Sequence, residues 1–168
     1  MAIVSGNIKF YLSGGAENAD PNASLGGIIS STEVSGTALN NIFDDVSGDE
    51  STPGDIEYRG IYVKNTHGTL TLQGAKLWLE SEVASGAAIA IALAGEGVNA
   101  TMETIATEQD APVGESFTSP TSKGTGLSMG DIAAGQRYGF WLRRTVGAAT
   151  PAQNADGVTP RVEGDTAA

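Results

Sequence analysis

The chain contains no cysteine, only one histidine, and 9 basic against 20 acidic residues among its 168 positions. The absence of cysteine excludes disulfides, thiolate catalysis and zinc or iron–sulfur centres held by cysteine. The formal charge of −11 disfavours nucleic acid and anionic membranes, because both would repel an acidic protein. We therefore expect no nucleic-acid or membrane partner, and a preference for basic protein surfaces.

Long apolar runs and helical patterns are also missing. The most apolar run covers residues 87–94 and is too short to span a bilayer. The first fifteen residues lack a basic segment followed by an apolar core, so we expect no signal peptide. No segment shows the i, i+3, i+4, i+7 apolar spacing of an amphipathic helix. We therefore expect a fold built from β-strands.

What the sequence does contain is glycine, threonine and short alternating segments. The 23 glycines punctuate runs in which apolar and polar residues alternate, which is typical of strands. We predict an all-β fold, an antiparallel β-sandwich that is jelly-roll-like, with long loops and little helix. It forms a single domain over residues 1–168, with an extended N-terminal segment (1–6) and a flexible C-terminal end. The predicted strands cover residues 7–12, 25–31, 57–64, 69–80, 87–94, 98–104, 137–146 and 158–165.

The clearest pattern is EYRGIYVKNTHGTLTLQGAKLWLE, residues 57–80. Residues 57–64 predict one strand and 69–80 a second, joined as a hairpin by the turn sequence Asn-Thr-His-Gly at 65–68. After Gly74 the apolar positions slip by one residue, which predicts a β-bulge at that glycine.

The alternation also predicts which side chains share a face. Tyr58 and Tyr62 should lie on one face of their strand, with Ile61 and Val63 on the other. Residues 87–94 carry no charge, so this strand should be buried on both faces, either as a central strand or under another subunit. We expect the strand at 89–93 and the strand that contains Trp141 to form the core.

Tests for chemistry give no catalytic, cofactor-binding or metal-binding residue. His67 is the only candidate base for a Ser-His-Asp arrangement, but no GxSxG motif accompanies it and it lies in a predicted turn. The acidic run DDVSGDE (44–50) places Val46 and Gly48 where an EF-hand loop needs oxygen ligands. It therefore predicts a solvated acidic loop within 40–55.

The aromatic residues leave two alternatives open. Tyr58, Tyr62 and Trp141 could form a platform for stacking sugars, as in a carbohydrate-binding or adhesin module, or they could belong to the core. The pair Arg143-Arg144 lies on one strand, where adjacent side chains point to opposite faces. One of the two arginines is expected to face a partner or to bridge to the acidic loop.

Three segments carry a resemblance to a known family. They are FDDVSGDESTPGDIEYRGIYVKNTHGTLTLQGAKLWLES (43–81), YGFWLRRTV (138–146) and RVEGDT (161–166). Together they resemble small structural proteins in the virions of tailed bacteriophages, and they make up about a third of the chain. The residues before position 40 carry no such resemblance.

The resemblance implies a non-enzymatic component of the particle. The first expectation is a capsid decoration (cement) protein on the outside of the major capsid protein lattice, and the second is a tail or baseplate protein. The expected partner is accordingly the major capsid protein or a tail protein, and the chain itself is expected to form a dimer or trimer. It would be made in the host cytoplasm and end on the capsid surface. The expected partner-contact residues, beside the N-terminal segment, are Asp44, Asp45, Asp49, Glu50, Asp55, Arg143 and Arg144.

Overall fold

Alternating segments form strands along almost the whole chain. The computed structural model describes residues 2–36, 40–83, 87–151 and 156–166. Helical structure there is limited to one turn, α1 (Gly48–Ser51), and two short 3-10 segments, Ser5–Asn7 and Pro21–Ala23. The strands are β1 (Ile8–Leu12), β2 (Gly26–Gly27), β3 (Asp55–Asn65), β4 (Leu72–Glu82), β5 (Ala88–Val98), β6 (Met102–Thr104), β7 (Leu127–Ile132), β8 (Arg137–Val146) and β9 (Val158–Thr166).

Two antiparallel sheets form the sandwich. One has the strand order β1-β3-β8-β5, the other β7-β4-β9, and a two-stranded ribbon pairs β2 with β6. From β3 onward, successive long strands alternate between the two sheets. Their facing sides bury one apolar cluster, to which the four-stranded sheet contributes Ile61 and Phe140 and the three-stranded sheet Leu77 and Val162. The predicted all-β antiparallel sandwich is confirmed.

A second apolar cluster lies on the outer face of the four-stranded sheet. Tyr58, Tyr62 and Trp141 are buried there together with Met102 of β6, whereas Ile61 belongs to the core between the sheets. The predicted division of β3 into two faces is therefore confirmed. Trp141 is buried as expected, but on the outer face and not between the two sheets.

Glycine allows the β2–β6 ribbon to approach that outer face. A Cβ at Gly139 would lie 2.3 Å from Cγ of Met102, and one at Gly60 would lie 3.0 Å from Cε of the same side chain. Real Cβ atoms do not come that close to other carbons, so larger residues would push the ribbon off the sheet. The missing side chains at these two positions make room for the second apolar cluster.

The predicted hairpin at 57–80 is wrong, because β3 and β4 belong to different sheets. The chain does turn at the Asn-Thr-His-Gly sequence, but it passes there from one sheet to the other. Asn65 holds this corner: its side-chain amide donates to the carbonyls of Leu70 (2.8 Å) and Ile132 (2.9 Å). Since β1 and β8 already flank β3, no edge is left for β4. The predicted bulge at Gly74 is confirmed, with φ of +55° and a shift in register on both sides of β4.

Strand β5 is buried on both faces as predicted, with Ile91 and Ala92 both almost fully buried. It is an edge strand, however, so the expectation of a central position is wrong. Its free edge is covered in part by the same chain: Ile91 and Thr118 exchange two backbone hydrogen bonds of 2.8 and 3.0 Å. A loop distant in sequence supplies what a neighbouring strand would otherwise supply.

Several predicted boundaries change. The strand expected at 25–31 is reduced to β2, the one expected at 98–104 is reduced to β6, and the acidic loop contains α1. Position 1 of the N-terminal segment and the last two residues of the C-terminal end lie outside the described residues.

In the part of the chain that the structure describes, no helix is long and apolar enough to cross a membrane.

Candidate functional site: a buried ion network under the acidic loop

The two adjacent arginines of β8 point in opposite directions. Arg144 lies opposite Glu57 in the β3–β8 ladder, and Arg143 lies opposite Tyr58. Arg144 is only 5% exposed, whereas the guanidinium of Arg143 lies 5.1 Å from the ring centre of Phe117 on the outer face. The two residues therefore have separate roles.

Arg144 fastens the acidic loop to the sheet. Its guanidinium bonds the buried carboxylate of Glu57 and reaches both the carbonyl oxygen (2.5 Å) and the carboxylate (3.1 Å) of Asp44. Glu50 of α1 lies 4.0 Å away. The prediction that one arginine bridges to the acidic loop is confirmed for Arg144, and its burial leaves little surface for a direct contact with a partner.

A second arginine completes the network from β3. Arg59 is fully buried, and its Nη2 bonds Glu108 at 2.5 Å and the side-chain oxygen of Asn22 at 2.9 Å. The ring of Phe43 lies 5.3 Å from the guanidinium of Arg59 and 4.9 Å from that of Arg144. Loops from three parts of the chain are therefore joined to one end of β3.

Glu57 is the central acid of this network. It is 1% exposed, with Arg144 on one side and Nη2 of Arg59 at 3.9 Å on the other. Burial raises the pKa of Glu57 above its usual value, and the two arginines counteract only part of that rise. One carboxylate oxygen, Oε1, has no hydrogen-bond partner among the described residues. Such an ion pair contributes little net stability, but removing one partner leaves a buried charge without compensation.

The same carboxylates are the one group of acids, within the described ranges, close enough together to hold a metal ion. Oxygens of Asp44, Glu50 and Glu57 lie within 4.8 Å of one another. The guanidinium of Arg144 already lies among them and provides the positive charge that a cation would bring. The arrangement is an ion-paired clasp between a loop and a sheet, in which one guanidinium lies among three carboxylates.

The remaining predicted contact residues lie outside the network. Asp45 and Asp49 are exposed on the acidic loop. Asp55 is half-buried at the start of β3, where its carboxylate accepts a hydrogen bond from the N–H of Ile56 at 2.8 Å. Contact with a partner through these three acids stays a prediction.

His67 has a structural role at the corner between the sheets. Its Nδ1 accepts hydrogen bonds from the backbone N–H groups of Thr69 (3.1 Å) and Leu70 (3.0 Å). Its own backbone N–H donates to Oδ1 of Asn65 at 3.0 Å. These hydrogen bonds hold the turn together, so the interpretation of His67 as a turn residue agrees with the structure.

The aromatic residues considered for sugar stacking are not accessible. Tyr58 is 8% exposed, and Tyr62 and Trp141 are fully buried. The hydroxyl of Tyr62 donates to the carbonyl of Gly27 (2.7 Å) and accepts from the N–H of Met102 (2.8 Å). These residues hold the β2–β6 ribbon on the sheet, and the alternative of a core role is the one that the structure supports.

A cluster of three acids beside this ribbon was missed from the sequence. Glu96, Glu103 and Glu115 each accept a backbone N–H, from Glu103, Val113 and Gly95 respectively, at 2.6 to 2.7 Å. Burial raises the pKa of Glu115, and the charges of Glu96 and Glu103 raise it further. One signal was available: residues 77–122 contain no lysine or arginine.

A cavity of about 670 Å³ opens at the end of the sandwich beside the clasp. Apolar side chains from both sheets and from the loops form most of its wall, and the charged residues of the lining are Arg144, Asp44, Asp45 and Asp156. Three carboxylates against one guanidinium give this wall an excess of negative charge. Its described lining includes Phe10, Val34, Ile42, Phe43, Ile61, Ile89, Val158 and Pro160.

Comparison of the chain with protein-family models, with curated proteins and with solved structures gives no match.

Proposed function

We propose that this chain is a non-enzymatic structural protein of a tailed-bacteriophage virion. Its proposed role is capsid decoration: it binds the outside of the major capsid protein lattice and stabilises it. A partner that binds only the assembled shell shifts the equilibrium toward assembly. A position on the tail or baseplate is the second candidate for the same particle.

The observation that carries the proposal is where the residues of the resembling segments meet. Phe43 and Asp44 of FDDV, Glu57 and Arg59 of EYR, and Arg144 of RRTV come together in the buried network. There they fasten a long loop to a sheet, which supports a structural module.

The distribution of charge supports a basic protein partner. Most of the cations are occupied within the chain: Arg59 and Arg144 are buried, and Lys9, Lys123 and Arg161 form ion pairs with glutamates. The acidic excess is left on the surface, where it steers association with a basic surface. We propose that the acidic loop, through Asp45 and Asp49, contributes to that contact.

The test is binding to shells that lack this protein. The purified chain is mixed with capsids assembled from the major capsid protein of the same genome, and with tails as a separate sample, and each mixture is sedimented. We expect co-sedimentation with capsids at a fixed ratio, and a higher melting temperature of the decorated shells. The variant Asp45→Asn/Asp49→Asn should bind more weakly and show less salt dependence.

Two other outcomes of this binding experiment would change the proposal. Binding to tails alone would move the proposal to the second candidate. Binding to neither particle, together with a hydrolytic activity that is lost on substitution of a particular acid, would overturn the proposal.

A further inference from the structure

The outer edge of β9 has no backbone partner among the described residues. The edges of the four-stranded sheet are covered: Leu12 and Phe10 of β1 bond the segment 30–34, and Ile91 of β5 bonds Thr118. The N–H of Ile3 donates to the side-chain oxygen of Thr166 at the end of β9, at 3.3 Å, but no backbone–backbone hydrogen bond from the described loops reaches the outer side of β9. A long strand with a bare edge readily pairs with another strand.

The direction of the free groups follows from two hydrogen bonds. The carbonyl of Gly157 accepts a hydrogen bond of 3.0 Å from the N–H of Val83, just after β4, so Gly157 faces β4. Leu79 lies opposite Pro160, and its N–H donates to the carbonyl of Pro120 at 2.8 Å and therefore points away from β9. Because backbone groups alternate along a strand, the odd-numbered residues of β9 face β4. The even-numbered residues point outward: Val158, Pro160, Val162 and Gly164.

An apolar groove runs beside this edge. It has a volume of about 490 Å³ and lies between β1 and β9, where the two sheets are not joined; Ile8, Phe10, Leu72 and Val162 contribute to its wall. The residues of β9 whose backbone groups point away from β4 have their side chains on the inner face of the sheet. This follows because backbone direction and side-chain direction both alternate with every residue along a strand. A strand added at this edge with the same pattern would place apolar side chains over the groove.

The charges of β9 fit a second copy of β9. Arg161 already pairs with Glu80 and Glu163 of its own chain. When two such strands pair antiparallel about Val162, Arg161 of each copy also lies opposite Glu163 of the other, and Pro160 lies opposite Gly164. A shift by two residues would place either two Arg161 or two Glu163 side chains opposite each other, and like charges in that position destabilise a sheet. Both bulges of the β4–β9 ladder put the extra residue in β4. The backbone of β9 therefore alternates without interruption, as pairing with a second strand requires.

We propose that the chain forms a symmetric dimer in which β9 pairs antiparallel with β9 of a second copy, centred on Val162. The two three-stranded sheets become one continuous sheet. Each Val162 exchanges backbone hydrogen bonds with its counterpart, and each Gly164 N–H donates to the opposite Pro160 carbonyl. This proposal is independent of any role in a virion.

A pair of cysteines tests the register. Thr159 and Asp165 are exposed, and each would lie opposite the other across the dimer, at a separation of roughly 4.5 Å between Cα atoms that a disulfide can bridge. In this cysteine-free chain, T159C/D165C should give a covalent dimer under mild oxidation. The single variants are matched controls and should stay monomeric on a non-reducing gel, because identical positions in the two copies are roughly 20 Å apart.

Charge exchange tests the contact without cross-linking. By sedimentation equilibrium, Arg161→Glu and Glu163→Arg should each raise the dimer dissociation constant by about tenfold, since each makes two unfavourable pairs. The double exchange should restore it, with circular dichroism confirming that every variant is folded. A monomeric wild-type chain, or a double-cysteine variant that cross-links no faster than the single variants, would overturn the proposal.

Discussion

The two sheets of this sandwich differ in how much of their surface is covered by the rest of the chain. The four-stranded sheet is covered on both faces, by the core on one side and by the ribbon of β2 and β6 with its aromatic cluster on the other. The three-stranded sheet buries its inner face, while its outer face carries the exposed ion pairs of Arg161 with Glu80 and Glu163. The first sheet is closed by its own chain, and the second leaves charge and an edge available to partners.

This difference indicates where stability and recognition are located. In the four-stranded sheet Glu57, Arg59 and Arg144 are buried, so a change at any of these charged residues disturbs contacts that have little access to water. On the three-stranded sheet, water can replace most lost contacts, and exposed ion pairs contribute little. We therefore expect core-like mutational behaviour from the first sheet and surface-like behaviour from the second.

The largest effect is expected when an arginine is replaced in the four-stranded sheet. Arg144→Met removes the main partner of buried Glu57 and releases Asp44, and it should lower the free energy of unfolding by about 3–5 kcal/mol. Arg161→Met is the matched change on the three-stranded sheet, where the side chain is 44% exposed. Urea denaturation of both variants checks the comparison, which fails if Arg161→Met costs as much as Arg144→Met.

The next effect concerns the outer face of the four-stranded sheet. Gly139→Ala places a methyl group against Met102 and should lower the free energy of unfolding by about 1–3 kcal/mol through overpacking. Gly68→Ala is the control, because nothing lies within 4 Å of a Cβ there. Thermal unfolding measures both, and equal melting temperatures would show that the ribbon is not tightly packed on the sheet.

The corner between the sheets should be less sensitive. His67→Ala removes an acceptor for two partly exposed backbone N–H groups and should cost about 1 kcal/mol. Binding to capsids should be unchanged, because the histidine stabilises the turn alone. A variant with wild-type stability but no binding would contradict this structural role.

The smallest effect is a dependence on pH at Glu115. The pKa of Glu115 is raised in the folded protein, so its carboxyl group favours folding below the pKa of the unfolded chain, and this contribution is lost as pH rises through the folded value. Glu115→Gln keeps an oxygen for the N–H of Gly95 and removes the charge. The variant should therefore gain stability over wild type as pH rises from about 4 to 7.

Chemical denaturation at several pH values checks this difference. Glu17→Gln, at an exposed position, serves as the control. A stability difference between Glu115→Gln and wild type that does not change with pH would show that burial and the neighbouring acids have no effect on the charge of Glu115.

Local patterns in the sequence were sufficient for most of the long strands and for the two faces of β3, but not for β7 or for the lengths of β2 and β6. The alternation around Tyr58 and Ile61 placed each on the correct face, and the phase slip at Gly74 predicted the bulge, because both depend on neighbours within a few residues. The link from Arg144 to the acidic loop was predicted only as one of two possibilities. Its partner Glu57 and the companion Arg59 were missed, because charged residues in a strand give no sign that they will be buried.

The sequence alone determined that this chain forms an antiparallel β-sandwich, since periodicity and glycine content act locally along the chain. Only the tertiary structure decided how the strands are distributed. It placed β3 and β4 in different sheets, put β5 at an edge and brought Phe43, Glu57, Arg59 and Arg144 together. These outcomes depend on pairing and packing between residues distant in sequence, and short-range patterns do not specify which of several apolar surfaces will meet.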